Sequence, residues 1–231
     1  MQLRLLSGGA AQALVGAIAP RLKAETGFEI DGAFGAVGAM KAQLLDGDPA
    51  DLLILTRALI VELTAARHVE PGSVADIGAV RTAIAVRSAD PAPNVGTAGE
   101  LRSALAAADA IYTPDQMLST AGIHFAKVLE ALGLTGEVAD RLRDFPNGAA
   151  AMSALAASTE RQPIGCTQVT EILATPGLTL VGALPAEFEL ATVYTVGVTA
   201  RAVHAEAARA FTAMLTSEEA RPLRQQLGFG R

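Results

Sequence analysis

The chain is poor in the residues that carry most recognisable chemistry. It has one cysteine, no tryptophan, two tyrosines and three histidines in 231 residues. A lone Cys166 excludes an intrachain disulfide and any multi-cysteine zinc site, and leaves the redox compartment open. It stands beside Gly165 in an apolar stretch, where a small buried thiol is the ordinary expectation and a nucleophile the rarer one. The histidines, at 68, 124 and 204, are too scattered to suggest a metal site, and the His-Glu-x-x-His zinc helix is absent. Gly-x-Ser-x-Gly, a phosphate loop ending in Gly-Lys-Ser/Thr and the dinucleotide glycine fingerprint are absent too; Gly32, Gly35 and Gly38 are spaced three apart. The expectation is therefore no metal and no cofactor. Aromatics at 4%, no basic cluster and a formal charge of −6 leave neither the electrostatic footprint nor the stacking surface of a nucleic-acid binder. Hydrophobic residues reach 51% and mean hydropathy is +0.35, yet charges interrupt every apolar run before it reaches spanning length. No membrane insertion is expected, and the chain reads as a monomer.

What is there is a repeated junction. The apolar run Leu3 to Leu6 breaks at Ser7-Gly8-Gly9 and passes into a helical pattern from Ala10 to Glu25. Such a turn leaves the first N–H groups of the helix unpaired at the positive end of its dipole, where an anion can sit. The strand at 28–33 is followed by Gly35-Ala36-Val37-Gly38 and a helix to Leu45, and the strand at 110–112 by Ser119-Thr120-Ala121-Gly122 and a helix to Leu132. Asn147-Gly148 opens another helix, and Thr167 follows the strand at 164–166.

Short apolar strands near 3–6, 28–33, 52–55, 80–86, 109–112, 162–166, 178–182 and 190–198 alternate with amphipathic helices. This is an α/β pattern of mainly parallel strands. The stretches 80–86 and 189–199 each end one strand–helix series and begin another. They read as two crossing strands between lobe one, 1–82 plus 198–231, and lobe two, 83–197, with a central cleft where strand ends meet. Residues 7–11, 35–39, 117–122, 146–149 and 167–170 are expected to converge there.

The order of elements and the local sequence resemble the type 2 periplasmic-binding-protein fold, most closely the molybdate-binding proteins of ABC transporters. The resemblance rests on Leu22-Lys23-Ala24-Glu25-Thr26-Gly27, Phe34-Gly35-Ala36-Val37-Gly38-Ala39 and Gly47-Asp48-Pro49-Ala50-Asp51-Leu52-Leu53-Ile54. It continues in Ala121-Gly122-Ile123, Pro163-Ile164-Gly165, Tyr194 and the terminal Gly228-Phe229. It implies a two-lobed α/β fold that closes on a small anion. At the oxyanion-contact positions the chain departs from that family: Ala10 matches the first-turn serine, Ala36-Val37 the second-turn serine pair, and Gln168 the tyrosine of lobe two. Hydroxyl donors to a charged partner are worth about 1.5–3 kcal/mol each. Their loss, with polarity gathered at Asp115, Gln116, Ser119, Thr120, Thr167, Gln168 and Thr170, favours an organic di- or tricarboxylate over molybdate.

The candidate ligand-binding residues are Ser7, Gly9, Ala10, Ala36, Val37, Arg57, Ser119, Thr120, Asn147, Gln168 and Tyr194. Arg57 suits a carboxylate and equally a solvated helix start; Ser119 and Thr120 suit a ligand and equally a helix cap; Tyr194 suits the cleft or strand packing. His124 and Glu171 are the candidate catalytic bases, against a surface histidine and a first-turn capping acid. Three functions fit. One is a solute-binding protein with a small anionic ligand and, if exported, an ABC transporter permease as partner. The second resembles the bacterial aconitate isomerases of the same fold group, a cofactor-independent enzyme moving a proton along an unsaturated polycarboxylate. The third, a cytoplasmic sensor, lacks a helix-turn-helix. Met1 runs almost directly into the first strand, so the expected location is cytoplasmic if the sequence is complete and periplasmic if a signal peptide has been removed.

Overall fold

The structure, a computed structural model, describes residues 1–230. The chain divides into two compact units: Met1–Val80 together with the chain from Thr192 onward, and Arg81–Ala191.

In the first unit, strands β1 (Gln2–Gly8), β2 (Glu29–Gly35), β3 (Leu52–Thr56) and β9 (Ala191–Val198) form a sheet in the order β2-β1-β3-β9. β1 runs parallel to β2 and β3, with Gly8 beside Gly35 and Ser7 beside Ile54, so all three carboxyl ends lie at one edge. β9 is antiparallel to β3 and brings Tyr194 opposite Thr56 at that same edge. Each of the three parallel strands leads there into a helix: α1 (Gln12–Thr26), α2 (Val37–Asp46) and α3 (Arg57–Ala65). The first helical stretch differs from its sequence reading, because Gly9–Ala11 is a 3-10 turn and α1 begins only at Gln12. Helices α1 and α2 end on Gly27 (φ 75°) and Gly47 (φ 101°), in the left-handed conformation that glycine adopts without penalty. Leu14, Ile18 and Leu22 of α1 recur at helical spacing and are buried, and α1 packs on α8 (Ala205–Thr216), whose Phe211 and Leu215 are fully enclosed. A short α9 (Arg221–Gln226) follows.

In the second unit, β5 (Ala110–Pro114) is parallel to both β6 (Leu142–Phe145) and β7 (Pro163–Gln168). β4 (Ala75–Arg87), which begins in the first unit, runs antiparallel to β7 and to β8 (Leu178–Ala183). Alternate residues of each strand enter different cores. Ile84, Ile111 and Ile164 pack with Leu101 and Phe125, whereas Ala83, Ala85 and Tyr112 pack with Met152 and Leu155. A sheet covered on both faces explains why its strands read as apolar runs rather than as alternation. Helices α5 (Thr120–Ala131), α6 (Gly148–Ala156) and α7 (Val169–Leu173) start beyond the carboxyl ends of β5, β6 and β7. α4 (Ala98–Ala107) opens on a Thr97–Glu100 capping box.

Two strands depart from their sequence reading. β4 begins at Ala75, five residues before the apolar run, and β6 carries no apolar run at all.

Candidate functional site

At the first unit's strand edge the packing is tight and apolar. A Cβ added at Gly8 would lie 2.8 Å from Val37 Cγ1 and 2.9 Å from Tyr194 Cε1, so only glycine lets these two side chains meet over the end of β1. Ala10, Ala36, Val37 and Tyr194 are all buried. The Ser7 hydroxyl is spent locally, donating to Gly8 O at 2.9 Å. The polar groups left at this edge are amides and the Tyr194 hydroxyl. Gly9 opens the 3-10 turn, and Ala36, an N-cap without a polar side chain, leaves the first N–H groups of α2 uncapped.

Arg57 starts from this edge and points elsewhere. Tyr194 and Thr195 are consecutive strand residues and so face opposite sides of β9. The Thr195 hydroxyl donates to Asp76 Oδ1 at 2.6 Å, and Asp76 in turn receives Arg57 Nε at 3.1 Å and Arg57 Nη2. That fork holds the Asp76 carboxyl below the usual range, with burial opposing it and Thr195 assisting. The structure brings together Gly8, Val37 and Tyr194, and not Arg57.

At the second unit's edge three helix starts are treated differently. Asn147 is a working N-cap, its Oδ1 accepting from Ala150 N at 2.9 Å. Ser119 stands at the N-cap of α5 yet makes no side-chain cap; the preceding turn is held by Asp115 Oδ1, which accepts from Met117 N at 2.7 Å and Leu118 N at 2.8 Å. Thr120 follows as the first helical residue. Gln168, the N-cap of α7, is buried and caps nothing with its side chain.

Glu171 is both a cap and a buried acid. Its carboxyl accepts the backbone N–H of Gln168 and, at 2.5 Å, the hydroxyl of Thr167. Burial raises its pKa to about 7 in spite of those two donors. The acid fills a space that only glycine leaves open: a Cβ at Gly148 would fall 1.9 Å from Glu171 Oε2 and 2.2 Å from Thr167 Oγ1. Beside it, Thr82 lies opposite Gln168 in the β4–β7 register, and the hydroxyls of Thr82 and Thr170 are buried without a hydrogen-bond partner. His124 is one full turn into α5, and its Nε2 lies 2.7 Å from Phe188 O. A carbonyl only accepts, so Nε2 carries the proton and Nδ1 is the nitrogen left for proton transfer. Cys166 is fully buried, and burial pushes its thiol far above the range of a nucleophile.

Thr82 and Asp76 are the neighbours that sequence reasoning missed. Both lie on β4, and neither stands beside a glycine turn or a helix start, the only signals that marked the other positions. Among the described residues no group of three or more His, Cys, Asp or Glu side chains is arranged to hold a metal ion, and no helix is long and apolar enough to cross a membrane.

The chain is 28% identical over 224 residues to an aconitate isomerase from Pseudomonas sp., covering 94% of this chain and 83% of that protein. Among solved structures it resembles the periplasmic molybdate-binding protein of Azotobacter vinelandii, with TM-score 0.82, 16% identity and 99% of each chain covered. It also resembles the sulfate-binding protein SubI from Mycobacterium tuberculosis H37Rv, with TM-score 0.77 and 19% identity, covering 99% of this chain and 86% of that one. At such identities the structural likeness establishes the fold, that of the two-lobed periplasmic binding proteins. The family model for bacterial extracellular solute-binding proteins matches residues 3–230. This chain therefore belongs to the bacterial extracellular solute-binding protein family.

Proposed function

We propose that this chain is a solute-binding protein for a small organic anion with two or three carboxylates, held by the helix starts at its strand edges. The observation that carries this reading is the contrast between the edges. The first offers amides under a cover of Val37 and the Tyr194 ring, and the second offers the Ser119 hydroxyl, Gln168, and the helix starts at Thr120 and Asn147. Amides and dipole ends hold carboxylates, while the apolar cover suits a carbon skeleton better than a compact tetrahedral oxyanion. Membership of an extracellular solute-binding family supports a periplasmic location and an ABC transporter permease as the partner receiving the ligand.

The test is a calorimetric panel of succinate, citrate, tricarballylate and the aconitate isomers against molybdate, tungstate and sulfate. A carboxylate is expected to bind at least tenfold tighter than any inorganic oxyanion. Submicromolar molybdate with no carboxylate response overturns the reading.

A second reading, an isomerase acting on an unsaturated polycarboxylate, is favoured by Glu171, a buried carboxyl with a pKa near 7, and by the likeness to an aconitate isomerase. A base titrating near neutrality is matched to both halves of a proton transfer along an allylic system. Glu171 is the stronger candidate base and His124 Nδ1 the other. In heavy water an isomerase is expected to incorporate deuterium into the acid and form the other isomer, both seen by NMR. A ligand that binds tightly and returns unlabelled and unisomerised leaves the transport reading alone.

A further inference from the structure

The first unit contains a cavity of about 330 Å³ whose lining carries three guanidinium groups, Arg57, Arg221 and Arg224, against two carboxylates, Asp76 and Glu218. Arg57 is paired with Asp76 and Arg221 with Glu218. Arg224 makes no ion pair among the described residues; burial lowers its pKa, and the charge of Glu218 opposes that shift. Arg224 is 9% exposed, and its hydrogen bonds run from Nη1 to the carbonyls of Leu215 and Ser217, both at 2.8 Å. A buried guanidinium held by carbonyl dipoles, with a carboxylate that makes no direct ion pair to it, is costly, and a closer counter-charge would offset that cost. Among the described residues Nε and Nη2 of Arg224 make no hydrogen bond, and Arg224 lines the cavity. Gln225 adds an amide, and Phe229, Ile77 and Val193 form an apolar floor.

We propose that this cavity is a second anion-binding site, separate from the strand-edge site, which takes an oxyanion group of one or two negative charges, a phosphate or a carboxylate on a small molecule, between Arg224, Arg221 and Arg57. Among the described residues of the lining the five charged groups carry a net single positive charge, which such an anion completes. Planar guanidiniums present paired N–H donors matched to an oxyanion, and the volume exceeds that of an inorganic ion, leaving room for a short carbon chain on the floor.

The experiment titrates the full chain with inorganic phosphate and, separately, succinate, following the side-chain Nε–H signals of arginine by NMR, with potassium chloride at matched ionic strength as control. Saturable shifts of Arg224 and Arg221 are expected with at least one of the two anions and not with chloride, and the anion that acts identifies the group the site takes. Arg221→Gln and Arg57→Gln, both at exposed positions, are each expected to weaken that binding about tenfold, while Ser119→Ala, at the other site, leaves it unchanged. Arg224→Lys tests the buried position, with its fold checked by circular dichroism. Shifts that track ionic strength, or an affinity untouched by Arg221→Gln and Arg57→Gln, overturn the proposal. A response lost with Ser119→Ala and kept with Arg221→Gln assigns the anion to the strand-edge site and overturns it as well.

Discussion

Glu171 and Ser119 differ in how far a polar residue at a helix start is taken up by the fold. Glu171 is folded into the structure by Thr167 and the Gln168 amide, and its pKa of about 7 makes it a stability switch. Because the folded value lies above that of the unfolded chain, its contribution is fully present below about pH 4.3 and is lost as pH rises through about 7. Over that window the loss is on the order of 3 kcal/mol. Glu171→Gln keeps one carbonyl acceptor and cannot ionise, so the fall in Tm between pH 5 and pH 8 is expected to flatten and the variant to melt higher than the parent at pH 8. An unchanged slope would show that the carboxyl is charged throughout. Ser119 and Asn147 form a second matched pair. Asn147→Ala removes a cap and should lower stability by about 1 kcal/mol in urea melts. Ser119→Ala removes no hydrogen bond of the fold, so its stability should be unchanged while carboxylate affinity falls about tenfold. Neither role was legible in the sequence, where Ser-Thr before a helix reads equally as cap and as ligand donor. The choice was made by Asp115, which secures the turn first.

The elements most legible in the sequence are those buried on both faces, because continuous apolar runs such as Leu52-Leu53-Ile54-Leu55 need no partner to be recognised. β6 escaped because Leu142-Arg143-Asp144-Phe145 is an edge strand with two exposed charges at its centre, held by pairing to β5. The first residues of β4 escaped because Asp76 and Gly78 interrupt them; Asp76 is there for Arg57 and Thr195, a tertiary reason that no local pattern reports. The cavity built by Arg57 and Arg224 escaped for the same cause, its walls being 167 positions apart. By contrast, the glycines that begin helices were legible as turns, but their second task was not. Gly148 makes room for the Glu171 carboxyl, so Gly148→Ala should cost about 1–3 kcal/mol through overpacking. Gly136→Ala, with open space at its Cβ, should be near neutral, and chemical denaturation compares the two.

The two units differ in how they are assembled from the chain. The unit Arg81–Ala191 is contiguous and carries its own cores on both sheet faces, so the excised segment is expected to melt cooperatively by circular dichroism. A broad, non-cooperative melt would mean that it depends on the rest of the chain. The other unit is discontinuous. β3 gains its second neighbour only when β9 arrives, and Ala79 exchanges hydrogen bonds with Gly230, far later in the chain. During synthesis from the N-terminus, β1, β2 and β3 must therefore wait with an open strand edge while the whole intervening unit is made. At about 5–20 residues per second that delay lasts several seconds to tens of seconds. Through that interval the nascent chain has one half able to fold and one half that is not, and the unclosed half is the natural client of a holding chaperone or of machinery that threads unfolded polypeptide. The long stretch of chain between β3 and β9 thus acts as a timer on when this sheet is completed.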